Sequence, residues 1–195
     1  MKKFELTAES KIFAGKKLFR IKALLSFGDV KEGELGGYVE KEENLSNDGN
    51  AWVYGNARVF GDAEVYGNAR VFGNARVFGD AWVYGDAEVY GNARVYGNAW
   101  VFGDAWVYGN ARVSGNARVS GDADYATVQG FGSEYRTTTF FRTKAGDIGV
   151  RCGCFYGTLE EFRAKVKETH GETKTAKEYL MVADLMEFRF SKEEA

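Results

Sequence analysis

Asn50 to Gly121 reads NAWVYG NARVFG DAEVYG NARVFG NARVFG DAWVYG, then DAEVYG NARVYG NAWVFG DAWVYG NARVSG NARVSG, twelve hexads in succession without an insertion. Self-similarity at a short fixed period is the mark of a stacked repeat. In a strand successive side chains alternate sides, so Ala and Val of each hexad point one way while the variable residue and the aromatic point the other. Gly followed by Asn or Asp supplies a corner, because these residues tolerate tight-bend conformations. No hexad can bury its own Ala-Val face. Coils must therefore stack at roughly 4.8 Å, each pairing its backbone with the coils on either side. The expected fold is an all-β solenoid with a thin core of Ala and Val.

The repeat resembles the hexapeptide-repeat, left-handed β-helix class. That resemblance implies left-handed winding and three hexads per triangular coil of 18 residues, hence about four regular coils. The longer string GELGGYVEKEENLSNDGNAWVYGNARV, Gly33 to Val59, is similar to YdcK-like β-solenoid proteins. With the ending GCFYGTLEEFRAKVKETHG and KEYL, the chain also resembles small solenoid proteins carried by phages and prophages of Gram-positive bacteria. Hexapeptide acyltransferases usually carry a small or acidic residue after the core aliphatic; here it is Tyr or Phe in ten of the twelve hexads.

Three segments are expected: an N-terminal β cap at 1–49, the solenoid at 50–127, and a small α+β domain at 128–195. In the cap, Phe4 to Leu6, Ile12 to Phe13 and Leu18 to Leu25 are short apolar segments separated by turn signals. An uncapped solenoid end would expose unpaired strand edges. Asn44 to Gly49 reads as a degenerate first hexad. After Gly121 the regularity fails. Arg136 to Lys144 and Ile148 to Phe155 read as a hairpin turning at Ala145-Gly146-Asp147. Thr158-Leu-Glu-Glu161 is a capping box, with Leu159, Phe162 and Val166 as the buried stripe and Gly171 as the stop. Thr175-Ala-Lys-Glu178 repeats the capping pattern ahead of a helix from Tyr179 to Phe190.

Composition limits the function. A net charge of −2 offers no global attraction to nucleic acid or anionic membrane, so any such binding needs a local patch. No apolar run is long enough for a signal peptide or membrane span, and the expected compartment is cytoplasmic. Cys152 and Cys154 are expected to be reduced, small and buried, without further ligands for a metal. His170, the single histidine, falls in the last turn of a helix, where a cation suits the dipole. The hexads contain no His, and the chain shows no phosphate loop, Ser-His-Asp set or paired carboxylates. No catalytic residue, metal or cofactor is assigned, and the expectation leans away from an enzyme.

The 18-residue coil sorts the outward residues into columns. Arg58, Arg76, Arg94 and Arg112 share one, beside Phe60, Phe78, Tyr96 and Ser114. Trp52, Arg70, Glu88 and Trp106 share the second, and Glu64, Trp82, Trp100 and Arg118 the third. The arginine column with Phe60, Phe78 and Tyr96 is the candidate ligand or partner site, since an Arg row flanked by aromatics can hold phosphates while stacking bases. Trp52, Trp82, Trp100 and Trp106 are the candidate interface for a homo-oligomer, trimer or dimer, because so much aromatic surface is unusual on a monomer. Three functions follow. The first is a rigid non-enzymatic interaction protein that binds a host protein and, by the phage resemblance, inhibits a bacterial defence system. The second is sequestration of a phosphate-bearing nucleotide by the Arg ladder, with nucleic acid as a related ligand. The third is a hexapeptide-repeat acyltransferase.

Overall fold

The structure, a computed structural model, describes residues 2–191. The first residue of the expected cap and the last four of the expected C-terminal domain lie outside the described residues. The repeat forms a β-solenoid of about five turns. Every alanine and valine of the twelve hexads from Ala51 to Val119 is wholly buried in one column. Parallel strands stack on three faces. On the first, Arg58, Arg76, Arg94 and Arg112 are in register; on the second, Trp52, Arg70, Glu88 and Trp106; on the third, Glu64, Trp82, Trp100 and Arg118. The corner glycines need their missing side chain: Gly85 has φ +72°, and a Cβ there would lie 3.0 Å from the amide and carbonyl of Gly103 in the next coil.

Parallel pairing reaches back before the regular array. Strand β3 (Leu35–Val39) pairs with Arg58–Gly61 through Tyr38↔Arg58, and Leu45 bridges Val65. Both steps span 20 residues, against 18 from Trp52 to Arg70, so the first coil carries two extra residues before Trp52. Ahead of it, β1 (Phe4–Phe13) and β2 (Lys16–Ala23) form one long antiparallel hairpin that continues the first face. The separate short segments expected in the cap merge because a register shift between Leu6 and Ser10 absorbs the break in apolar pattern.

The direction of the backbone ladder dictates what each end requires. Amides of one coil donate to carbonyls of the next, as Arg58 N does to Ala75 O and Trp82 N to Ala99 O. The N-terminal end therefore presents free carbonyls and needs donors. It receives a different one on each face: the Tyr38 amide on Ala57 O, the Asn44 Nδ2 on Gly61 O and Ala63 O, and the Lys3 Nζ on Gly49 O and Ala51 O. The C-terminal end presents free amides and needs acceptors. Asp122 Oδ1 takes the Trp106 amide, Thr139 Oγ1 the Arg112 amide, and Asp124 Oδ2 the Ser120 amide. Lys3 and Asn44 are buried, and burial pushes the Lys3 ammonium down to about 8 while Asp48 opposes.

Beyond Gly121, four antiparallel strands form a second sheet, Tyr125–Val128, Thr138–Arg142, Ile148–Cys152 and Phe155–Thr158 in order. The expected hairpin is its centre; the returning strand breaks at Gly153 (φ +57°) and turns once more. Helices α1 (Leu159–His170) and α2 (Lys174–Phe190) cover it through Phe140, Val150, Phe162, Val166, Tyr179 and Met186. The Thr158/Glu161 capping box, the buried stripe of α1 and Gly171 are as expected. The second helix starts earlier than its sequence pattern implied: Thr173, not Thr175, accepts from the Ala176 amide, which places Thr175 inside α2. Cys154 is exposed at the Gly153 turn, not buried, and Cys152 is half-buried, accepting from the Thr138 hydroxyl at 3.2 Å. Among the described residues no helix is long and apolar enough to cross a membrane.

Candidate functional site: the arginine face

The four arginines of the first face sit in register because coil follows coil in steps of 18, so their backbone positions repeat at the stacking distance, roughly 4.8 Å. The ion pairs among the described residues engage other cations, including Arg70 with Asp29, Arg20 with Glu9, Lys16 with Glu40 and Arg163 with Asp184 and Glu187. None involves Arg58, Arg76, Arg94 or Arg112. Like charges stacked this closely repel unless an anion lies across them.

Both ends of this face are enclosed, by residues that sequence reasoning did not assign to it. The tip of the β1–β2 hairpin folds over the first two rungs, with Phe13 4.5 Å from the Arg58 guanidinium carbon and 4.7 Å from that of Arg76. Lys11 lies on the Tyr38 ring at 3.3 Å. Burial, then the charges of Arg58 and Arg20, push the Lys11 ammonium down to about 8, against the pull of Glu9. Burial and Arg58 likewise depress Arg76. Arg58 Nε is buried without a hydrogen-bond partner. At the far end Arg112 donates to Gly153 O at 3.2 Å, and Arg151 of the C-terminal sheet reaches over the Tyr96 ring at 5.7 Å. Arg94 lies between these two enclosures, with Arg76 at the edge of the first, beneath Phe13. The signal for Lys11, Phe13 and Arg151 was too remote to read: their contacts with Tyr38, Arg58 and Tyr96 span 27, 45 and 55 residues.

The aromatic column is organised differently from what base stacking requires. Phe60 and Phe78 stack with centroids 5.0 Å apart and planes 1° apart, and Phe78 and Tyr96 follow at 4.8 Å and 0°. Phe78 is covered by a ring on both faces, Phe60 and Tyr96 on one face each. Phe60 is further buried with Leu18 and Tyr38 beneath the hairpin. The other faces repeat this device: Tyr66, Tyr84 and Phe102 stack in one ladder, and Phe72, Tyr90 and Tyr108 in another. Coil-on-coil stacking thus covers much of the surface that the composition seemed to leave for a second subunit, at a gain of about 0.5–1.5 kcal/mol per pair beyond burial.

The four tryptophans do not form one surface. Trp52 is wholly buried, held edge-on by Phe4 and Phe27 of the cap, so its assignment to an interface is corrected: the hairpin occupies the position a partner would have taken. Trp82 and Trp100 stack on one another at 5.0 Å, and Arg118 covers Trp100 at 4.0 Å. Only Trp106 among them is strongly exposed, in the last coil. Elsewhere, His170 stacks on Tyr179 beside Cys152 in a small cavity of about 100 Å³. Among the described residues there is no group of three or more His, Cys, Asp or Glu able to hold a metal.

The YdcK β-solenoid repeat family matches residues 51–67, 69–85, 87–103, 93–109 and 111–123 of the chain. No curated protein matches it. The match coincides with the stacked hexads and leaves the hairpin, the first coil and the C-terminal sheet and helices outside it.

Proposed function

We propose that this chain is a non-enzymatic binding scaffold whose arginine face receives an acidic surface of a protein partner. The observation that carries this reading is the in-register column Arg58, Arg76, Arg94 and Arg112, with no ion pair to a carboxylate among the described residues and with Lys11 adding a further cation at its enclosed end. A row of carboxylates laid across the column would relieve the repulsion on several rungs together. Stacking and burial leave Phe60 and Phe78 no open face for a base, and Tyr96 only the one under Arg151, which favours an acidic polypeptide over a nucleotide or single-stranded nucleic acid, whose bases need open aromatic faces. The phage-like ending supports a host protein as the partner, with obstruction of a defence effector as the consequence of binding.

The test uses fluorescein-labelled poly-L-glutamate as the probe, titrated at several salt concentrations. Wild-type protein should bind, with affinity falling as salt rises. Arg76→Ala with Arg94→Ala should weaken binding by about tenfold or more, two charge-assisted contacts being lost, while the variant keeps the wild-type β circular-dichroism signal. Unaltered binding by the double variant, or none by the wild type, would refute the assignment.

A further inference from the structure

The strongest concentration of exposed apolar side chains lies away from the arginine face, on α2. Met181, Leu185 and Phe188 are 70%, 57% and 79% exposed. Their spacing of four and three places them on one side of the helix, continuing a line begun by Lys174 and Lys177. The opposite side of the same helix is spent on the core through Ala176, Tyr179, Ala183, Met186 and Phe190. Beside Leu185 and Phe188 runs a groove of about 1100 Å³ whose far wall is Tyr108, Asp122 and Tyr125 from the end of the solenoid. Tyr108 is itself half exposed. Three largely exposed apolar side chains in one line beside a groove are more than an isolated soluble surface ordinarily carries.

The charges on α2 select the occupant. Its N-terminal half bears Lys177, in no ion pair among the described residues, and Lys174, 3.9 Å from Glu178. Its C-terminal half bears Asp184 and Glu187, which share the single guanidinium of Arg163 at 2.7 and 2.8 Å, and Arg189, which lines the groove. Along the exposed stripe itself Lys174 and Lys177 stand toward one end and Asp184, seven residues after Lys177, toward the other, so the stripe complements its own copy when the two helices run antiparallel and opposes it when they run parallel.

We propose that two copies of this chain pair through α2, antiparallel, about a two-fold axis passing between Leu180 and Met181. In that register positions whose numbers sum to 361 face one another. Lys177 then faces the partner's Asp184, twice by symmetry, and Met181 lies beside its twin. Leu185 and Phe188 lie along the alkyl stems of the partner's Lys177 and Lys174. The N-terminal end of the partner's α2 enters the groove between α2 and the end of the solenoid. The overlap runs the length of the helix, from Thr173 to Phe188.

Native mass spectrometry and light scattering of the full chain across a dilution series test this pairing. The expected mass is twice 21.7 kDa. Leu185→Glu with Phe188→Glu, which changes four apolar side chains of the dimer at once, should weaken it by about thirtyfold or more. Both side chains are largely exposed in the single chain, so the urea midpoint of the variant at high dilution should equal that of the wild type. Lys177→Glu should weaken it by about tenfold, by setting Glu against the partner's Asp184. A wild-type monomer, a trimer, a dimer that withstands the double variant, or one indifferent to Lys177→Glu would overturn the proposal. Poly-L-glutamate binding by the double variant separates this surface from the arginine face: it should persist.

Discussion

Replacing Asn44 by alanine tests whether side-chain plugs, and not the length of the repeat, hold the end of the solenoid closed. The Asn44 side chain is wholly buried and makes four hydrogen bonds: Nδ2 donates to Gly61 O at 3.0 Å and Ala63 O at 2.8 Å, and Oδ1 accepts from the amides of Glu40 at 3.1 Å and Lys41 at 3.0 Å. Each such bond contributes about 1 kcal/mol net, so Asn44→Ala should cost about 4 kcal/mol. Because each coil contacts only its neighbours, the loss should appear first as opening of the first coil. At about 1.4 kcal/mol per decade, protection of the Glu40 and Ser46 amides, which donate to Val59 O and Val65 O, should fall roughly a thousandfold in hydrogen exchange. Asn44→Asp adds a control with a sign. It keeps the acceptor and turns the donor into an oxygen facing two carbonyls, so the carboxyl is protonated more readily folded than unfolded. That variant should gain stability as pH falls and lose it as pH rises through the folded value. A loss below about 1 kcal/mol for Asn44→Ala, with protection at Glu40 and Ser46 unchanged, would refute the capping argument.

Two further outcomes follow from the same architecture. Gly55 and Gly85 both have positive φ, but a Cβ at Gly55 meets nothing within 4 Å whereas one at Gly85 meets the Gly103 backbone at 3.0 Å. Gly55→Ala should cost about 1–2 kcal/mol in urea unfolding for the backbone conformation alone, and Gly85→Ala a further ~1–3 kcal/mol for displacing the next coil; equal losses would count against tight coil stacking. The pH profile should rise and then fall. Lys3 and Lys11, held down to about 8 from 10.5, bind fewer protons folded than unfolded, so stability increases as pH climbs from about 8 toward 10.5. Tyr66 and Tyr179, raised from 10.0 to about 12 mainly by burial, act oppositely and withdraw stability above pH 10. Urea midpoints at successive pH values should trace this shape, and Lys3→Met should flatten the rise; a monotonic fall from pH 8 in the wild type would contradict it.

What could be read from the chain was whatever repeats locally. The Ala and Val columns, the in-register arginines and the α1 capping box depend on spacings of 2, 18 and 3 residues, and the structure places them so. What escaped depends on contacts between distant segments. Trp52 occupies an outward position in its hexad, yet Phe4 and Phe27 bury it, because the cap adds a layer that the hexad pattern does not encode. Lys3 and Asn44 look like ordinary polar residues in sequence; their role appears only once the ladder direction leaves carbonyls bare at one end. At the candidate site the arginines were legible and their neighbours Lys11, Phe13 and Arg151 were not, since a hairpin and a separate sheet bring them there. The aromatic column was visible as a column, but whether rings face solvent or one another is a matter of side-chain angle.

The plugs at the two ends also make the scaffold a ruler of fixed gradation. Donors close one end and acceptors the other, so neither end can recruit further coils, while between them any coil is interchangeable with the next. Duplication or deletion of a single 18-residue unit would leave both closures intact. It would shift the hairpin relative to the C-terminal sheet by one stacking step, roughly 4.8 Å, and add or remove one arginine from the column. Reach and charge would thus change together and in whole steps, so the length of the arginine face can be altered by counting coils without redesigning a surface.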